Sequence, residues 1–414
     1  MSSDSRPRRL PGWLLLVGAM SAIGPFTIDM YLPGFPAIER EFAEQGVERT
    51  MAAYLVGITV GQLIYGPISD RYGRKPPLYF GFILYALGGL GCALASSMMM
   101  LIAMRVVQAL GACAGLVIAR AIVRDRCEPH EAARAFATLM AIVALGPIIA
   151  PMLGGWVVTV VGWRGVFVFQ ALLGVAVLLM MHGLMEESLP PGAALPLHAG
   201  QIARRYARLA RDPILVGYSL VGGFGMGSMF CYVTGAPTTM AEVFQLAPDQ
   251  FGWMLGLNGL AFMTASRLNM LALRCRTPKE VLRSAIRWPT GVATLFMVSA
   301  SVFVLPLWST ICLQLLFFVS TARTMPHTSA LALAPHGKEA GAASALMGSL
   351  QSLTATFAGI AVAIFNNSTL SRLGMLLFAG ALLAWLSFVW VTRREPAETA
   401  AGPVSQANPD ITRP

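Results

Sequence analysis

Charge is what this sequence lacks most. Only 12% of its 414 residues are charged, against about 25% in ordinary soluble domains, so the chain has too little to clothe an aqueous surface. Other chemistries are missing too. The six cysteines (Cys92, Cys113, Cys127, Cys231, Cys275 and Cys312) include no CxxC pair and read as packing residues. The five histidines (His130, His182, His198, His327 and His336) show no ligand spacing, so no metal is expected. No P-loop is present, which disfavours a nucleotide-driven pump. An enzyme would need a nucleophile paired with a base at membrane depth, and no such pair stands out.

What fills the sequence is apolar. Hydrophobic residues make up 56% of it, and the mean hydropathy is +0.65. Runs of about 20 apolar residues recur along the chain, each long enough to cross a bilayer core of ~30 Å as a helix. They are continuous rather than alternating, which excludes a membrane β-barrel. Twelve spans are expected, near 13–36, 50–69, 78–97, 99–123, 135–160, 163–184, 213–237, 250–272, 288–306, 308–333, 341–365 and 372–392. The run from Trp13 is too long for a signal-peptide core and reads as an uncleaved first helix. The fold class expected is all-α integral membrane, with two six-helix bundles at 13–185 and 213–392. These are joined by a loop at 186–212 and flanked by tails at 1–12 and 393–414. The loop contains "ESLPPGAALP" and a basic stretch, "QIARRYARLARD". The C-terminal tail is polar and reads as disordered.

The net charge of +10 invites a nucleic-acid reading, but its distribution rejects it. Roughly 22 of the 30 Lys/Arg fall in the terminal segments and alternate loops of one side, and about 4 in loops of the other. That is a positive-inside signal, placing both termini in the cytoplasm. The first outer loop carries Glu39, Glu41, Glu44 and Glu48 instead.

Charges inside spans are costly, about 2.5–3.5 kcal/mol each at a helix centre even on a lenient scale. Of the acids, only Asp29 reads as deep within a span. Of the bases, Arg105 is the clearest. Counting along the first and fourth helices puts both ~10 Å below the outer boundary, so the two are expected to pair. Such a pair is either a structural tie or a proton and substrate site, because burial and the arginine act on Asp29 protonation in opposite senses. Arg120, Arg267 and Arg323 lie near inner helix ends, where they can snorkel. Pro326 should kink the tenth helix beside Arg323, and His327 there reads as a packing histidine. Gly57 and Gly61, with Gly111 and Gly115, form faces for close helix approach. Pro147, Pro151, Gly154 and Gly155 give the fifth helix a bend and a flat face.

These features together resemble the major facilitator superfamily. "GPISDRYGRKPPL" (Gly66–Leu78) is similar to its signature loop between helices 2 and 3, matching at Gly66, Asp70, Arg71, Gly73, Arg74 and Lys75. The resemblance implies that the acid and arginines of this loop pair with neighbouring helix ends and that the pairing stabilises the outward-facing state. "RVVQALGA", from Arg105, resembles the fourth-helix motif tied to proton coupling. "GPIIAPMLGG", with Gly146, Pro147, Pro151, Gly154 and Gly155, resembles the antiporter motif of the fifth helix. "IDMYLPGFPAI", "GQLIYGP" and "TGAP" resemble the Bcr/CflA drug-resistance branch, which contains bicyclomycin, chloramphenicol and florfenicol exporters. The likeness covers nearly the whole chain and is densest in its first half. In the second half, the loop after the eighth helix lacks the acid and glycines of the motif.

The resemblance implies a monomeric exporter of drug-like molecules in the bacterial inner membrane, driven by protons and needing no other cofactor. Asp29 and Arg105 would couple the proton. Asp29, Tyr31, Arg105, Gln108, Tyr232 and Thr234 would line the substrate cavity. A metabolite exporter with the same fold is the alternative, and a membrane-embedded enzyme or receptor a remote one.

Overall fold

A computed structural model describes residues 12–189, 199–365 and 369–395. The N-terminal tail and most of the C-terminal tail lie outside the described residues. Helices follow the apolar runs in order: α1 (Gly12–Asp29), α2 (Phe35–Phe42), α3 (Glu48–Tyr72), α4 (Lys75–Ala93), α5 (Met98–Arg126), α6 (Pro129–Val161), α7 (Trp163–Leu184) and α8 (Ala199–Leu209). Then come α9 (Pro213–Phe244), α10 (Pro248–Ala272), α11 (Pro278–Ala285), α12 (Arg287–Val302), α13 (Leu307–Ala322), α14 (Met325–Leu333), α15 (Ala340–Phe365) and α16 (Leu370–Thr392). No strand occurs among the described residues. Among the described residues, eight segments are long and apolar enough to cross a membrane, one of them combining α1 with α2, so the chain is a multi-pass membrane protein.

Local chemistry sets the helix ends. Ser97 caps α5 by accepting from the Met100 N–H, and Asp212 caps α9 by accepting from those of Ile214 and Leu215. Thr277 and Glu280 form a reciprocal capping box on α11. Proline stands in the first turn of α6, α9, α10 and α11, where its missing N–H costs nothing.

Two expected spans are interrupted. The first is read as continuous over 13–36, but α1 ends at Asp29. A single 3-10 turn, Leu32–Gly34, then leads into α2. Pro33 explains the break, since it has no N–H to offer the Asp29 carbonyl four residues back and its ring crowds that carbonyl. The tenth span breaks at Arg323–Thr324, between α13 and α14, with Pro326 in the first turn of α14. By contrast, α6 runs unbroken through Pro147 and Pro151.

The helices before residue 190 pack mainly on one another, and so do those after 199. The two groups meet along α3 against α15 and α6 against α10. One face of the molecule carries the loop Asp70–Lys75 and the helix α8, and is called the basic side. The opposite face carries α2 and Glu39–Glu48, and is called the acidic side. The closest backbone approaches between the groups lie toward the acidic side. A Cβ on Gly155 would stand 2.5 Å from the Pro248 carbonyl oxygen, and one on Gly359 would meet Ala52. Glycines at both places let the helices touch. On the basic side it is a long side chain, Arg124, that reaches across to Gly341.

Candidate functional site

The site begins with the break in α1. Ending a helix leaves carbonyl groups without an N–H partner and concentrates negative partial charge there. Arg105 of α5 uses that end. Both terminal nitrogens of its guanidinium donate to the Thr27 carbonyl, at 3.4 Å each, and Nη1 also donates to Gln108 Oε1 at 2.8 Å. Its carbon lies 4.1 Å from the centre of the Tyr31 ring and 4.4 Å from that of Tyr54. The guanidinium is fully buried, and only Nε lacks a partner. Desolvated aromatic faces are worth about 2 kcal/mol to such a cation.

This arrangement corrects an expectation. Among the described residues, no ion pair joins Asp29 to Arg105. The helix end and two tyrosines take the place of the acid. Asp29 is the last residue of α1, ringed by protein yet still partly accessible. Its side chain is neither sealed in the core nor fully exposed.

The other expected cavity residues divide into two buried networks. In the first group of helices, Tyr31 shares a hydrogen bond with Thr50 at 3.1 Å, and Gln108 Nε2 donates to Gln170 Oε1 at 2.9 Å. In the second group, Tyr232 donates to Gln314 Oε1, whose Nε2 donates to Asn258 Oδ1 at 2.7 Å. Thr234 is buried with its hydroxyl unpartnered. The structure therefore brings Tyr31, Arg105 and Gln108 together, holds Tyr232 elsewhere, and leaves Asp29 apart. Arg105 and Gln314 each stand eighth in their helix, α5 and α13, so the cation of one group corresponds to a neutral amide in the other.

Glu48 also escaped the sequence reading, which takes Asp29 as the one deep acid. Glu48 is buried at the first residue of α3 and accepts from Thr238 Oγ1 of α9 at 3.2 Å. Its place in a loop-like acidic run, "EREFAEQGVE", concealed it. Gln170, Gln314 and Asn258 could have been found, because amides inside apolar runs are as conspicuous as charges. Of the weaker candidates, Arg120 and Arg267 are exposed. Arg323 sits at the helix break, its carbonyl accepting from Asn269 at 3.1 Å, and His327 is buried.

The loop after α3 is tightly built. Gly73 has φ +87°, and a Cβ there would lie 2.7 Å from the Glu187 carboxylate. Arg74 is 4% exposed and bridges Asp70 Oδ1 at 2.6 Å to Asp125 Oδ2 at 2.8 Å. Asp125 lies in the last turn of α5. Glu187 accepts from the backbone N–H groups of Arg74, Lys75, Ser188 and Leu189. Partial burial works against its ionisation, but these donors win and hold the carboxyl below its ordinary range. Gly66 meets nothing. In the fifth-span motif, Gly154 stands against the Met30 carbonyl of the α1 break and Gly146 against Pro25.

The family model described as Major Facilitator Superfamily matches residues 14–358. This chain belongs to that superfamily. It is a transporter of small molecules and has the all-α membrane fold of the superfamily. An uncharacterized MFS-type transporter, YdgK of Bacillus subtilis, is 32% identical over 93% of this chain and 96% of its own. A bicyclomycin resistance protein homolog of Haemophilus influenzae is 26% identical over 92% of this chain and 96% of its own. Among solved structures, the xylose transporter XylE from E. coli in a partially occluded inward open conformation superposes with a TM-score of 0.71. It is 13% identical and covers 93% of this chain and 99% of its own.

Proposed function

We propose that this transporter exports drug-like small molecules across the bacterial inner membrane in exchange for protons, with both termini in the cytoplasm. The observation that carries the reading is the placement of Asp29: an acid at the broken end of α1, enclosed by protein, reachable, and not neutralised by Arg105. An unpaired, accessible acid can take up and release a proton; one locked to arginine would stay ionised. The relative named for bicyclomycin resistance supports drug export. The excess of Lys and Arg on the basic side supports its being cytoplasmic. The close packing on the acidic side suits a carrier whose cavity faces the cytoplasm in this state.

In this scheme substrate and proton compete near Asp29, and neither reloads until the other leaves. The test is drug susceptibility in an efflux-deficient bacterium, comparing wild type with Asp29→Asn over chloramphenicol, florfenicol, bicyclomycin and sulfonamides, with membrane expression checked. Resistance that disappears in the well-expressed variant supports the proposal. An Asp29→Asn protein that still exports drug against a gradient refutes coupling through this residue. No resistance from well-expressed wild type moves the assignment to metabolite export.

A further inference from the structure

A second site lies away from Asp29 and Arg105, on the basic side of the second helix group. A cavity of about 590 Å³ opens there, with Arg208 of α8, Arg211 and Asp212 before α9, His336 and Glu339 of the turn before α15, and Arg394 after α16 on its walls. Its acids are already engaged. Glu339 pairs with Arg205 and Arg208. Asp212 Oδ1 caps α9, accepting from the Ile214 N–H at 2.8 Å, and Oδ2 stands 3.1 Å from His336 Nε2. Arg211 and Arg394 are exposed and have no carboxylate partner among the described residues. Arg394 is held by its ring contact with Trp390, 4.7 Å from guanidinium carbon to ring centre.

Two guanidinium forks without a carboxylate partner, on the wall of one cavity, form a donor set for phosphate, whose oxygens they can meet in pairs. Depth identifies the source. Trp288 opens α12 and Trp390 lies near the end of α16, both on this side and both exposed. Exposed tryptophans mark the level of lipid headgroups. Arg394 follows Trp390 by one helical turn, and the basic helix α8 runs alongside. Basic pockets between membrane helices at this level take up anionic headgroups. We infer that the cavity binds the phosphate of an anionic phospholipid, tying α8 and the end of α16 to the membrane surface.

The purified full-length protein tests this. Lipid retention is measured by native mass spectrometry, and thermal stability is measured in detergent with added phosphatidylglycerol, phosphatidylcholine or inorganic phosphate. At ~1 kcal/mol per arginine near a charged surface, phosphatidylglycerol should bind about 30-fold more tightly than phosphatidylcholine. That preference should vanish in an Arg211→Gln, Arg394→Gln double variant. It should survive in Arg394→Lys, which keeps the charge, and in Arg393→Gln, whose side chain is off the cavity. Equal binding of the two lipids, or full preference in the double variant, overturns the inference. Stabilisation by inorganic phosphate equal to that by phosphatidylglycerol overturns the lipid as its source.

Discussion

The Arg105 guanidinium lies over the face of Tyr31, 4.1 Å from the ring centre, at the point where α1 ends. The ring stabilises the cation, and the tyrosine hydroxyl is used elsewhere, on Thr50. The two roles separate by substitution. Tyr31→Phe keeps the ring and loses one hydrogen bond, about 1 kcal/mol, so transport should stay within a few-fold of wild type. Tyr31→Leu removes the cation–ring contact, about 2 kcal/mol at a desolvated site, and should lower both melting temperature and transport rate markedly. Equal loss in the two variants would show that the hydroxyl bond to Thr50, not the ring contact with Arg105, carries the effect.

Glu187 makes the protein's stability depend on pH through the loop after α3. Its folded carboxyl titrates below the ordinary value, so its stabilisation is fully present above the unfolded value of about 4.3. It is lost as pH falls through the lower, folded value. Glu187→Gln keeps the shape but loses the charge that four N–H groups face. Melting curves should therefore show the variant less stable than wild type at neutral pH, with the gap closing in strong acid. A gap that widened as pH fell would contradict this sign.

The two motif glycines Gly66 and Gly73 look alike in sequence and should behave differently. Gly66→Ala places a methyl in open space within α3 and should be neutral or slightly stabilising. Gly73→Ala must hold φ at +87° and displace the Glu187 carboxylate, costing on the order of 1–3 kcal/mol. Thermal melts of both variants decide it, and a harmful Gly66→Ala would mean that this helix face closes on something in another state.

Much of the fold was legible because membrane helices declare themselves by length and apolarity. Each expected span coincides with a helix or with two helices separated by a short break. The site was legible in part. Arg105 announced itself as a charge without an escape route. Its partner did not, because a carbonyl freed by a helix end has no sequence letter, and the matched depth of Asp29 suggested an ion pair instead. Pro33 was visible, but reading the span as one helix hid what it does to the backbone. Glu187 was invisible for another reason: it folds back on Arg74 from more than a hundred residues away.

The number of buried acids bears on energetics. Asp29 is half-buried at the end of α1, whereas Glu48 is buried at an end of α3, on a hydrogen bond to Thr238 of the other helix group. Under the proposed export, Asp29 is the acid that exchanges its proton, so one proton enters per molecule expelled. For a neutral drug, one net charge then moves inward, and 100 mV adds ~2.3 kcal/mol, roughly 50-fold in attainable gradient. For a monovalent cation no net charge moves and voltage contributes nothing; a dication works against it. Proteoliposomes with a fixed pH gradient separate these cases. Collapsing the voltage with valinomycin and potassium should impair export of a neutral compound and spare that of a monovalent cation. Cation export that falls with the voltage would require a second proton, and Glu48→Gln should then abolish that dependence while Asp29 still carries the first.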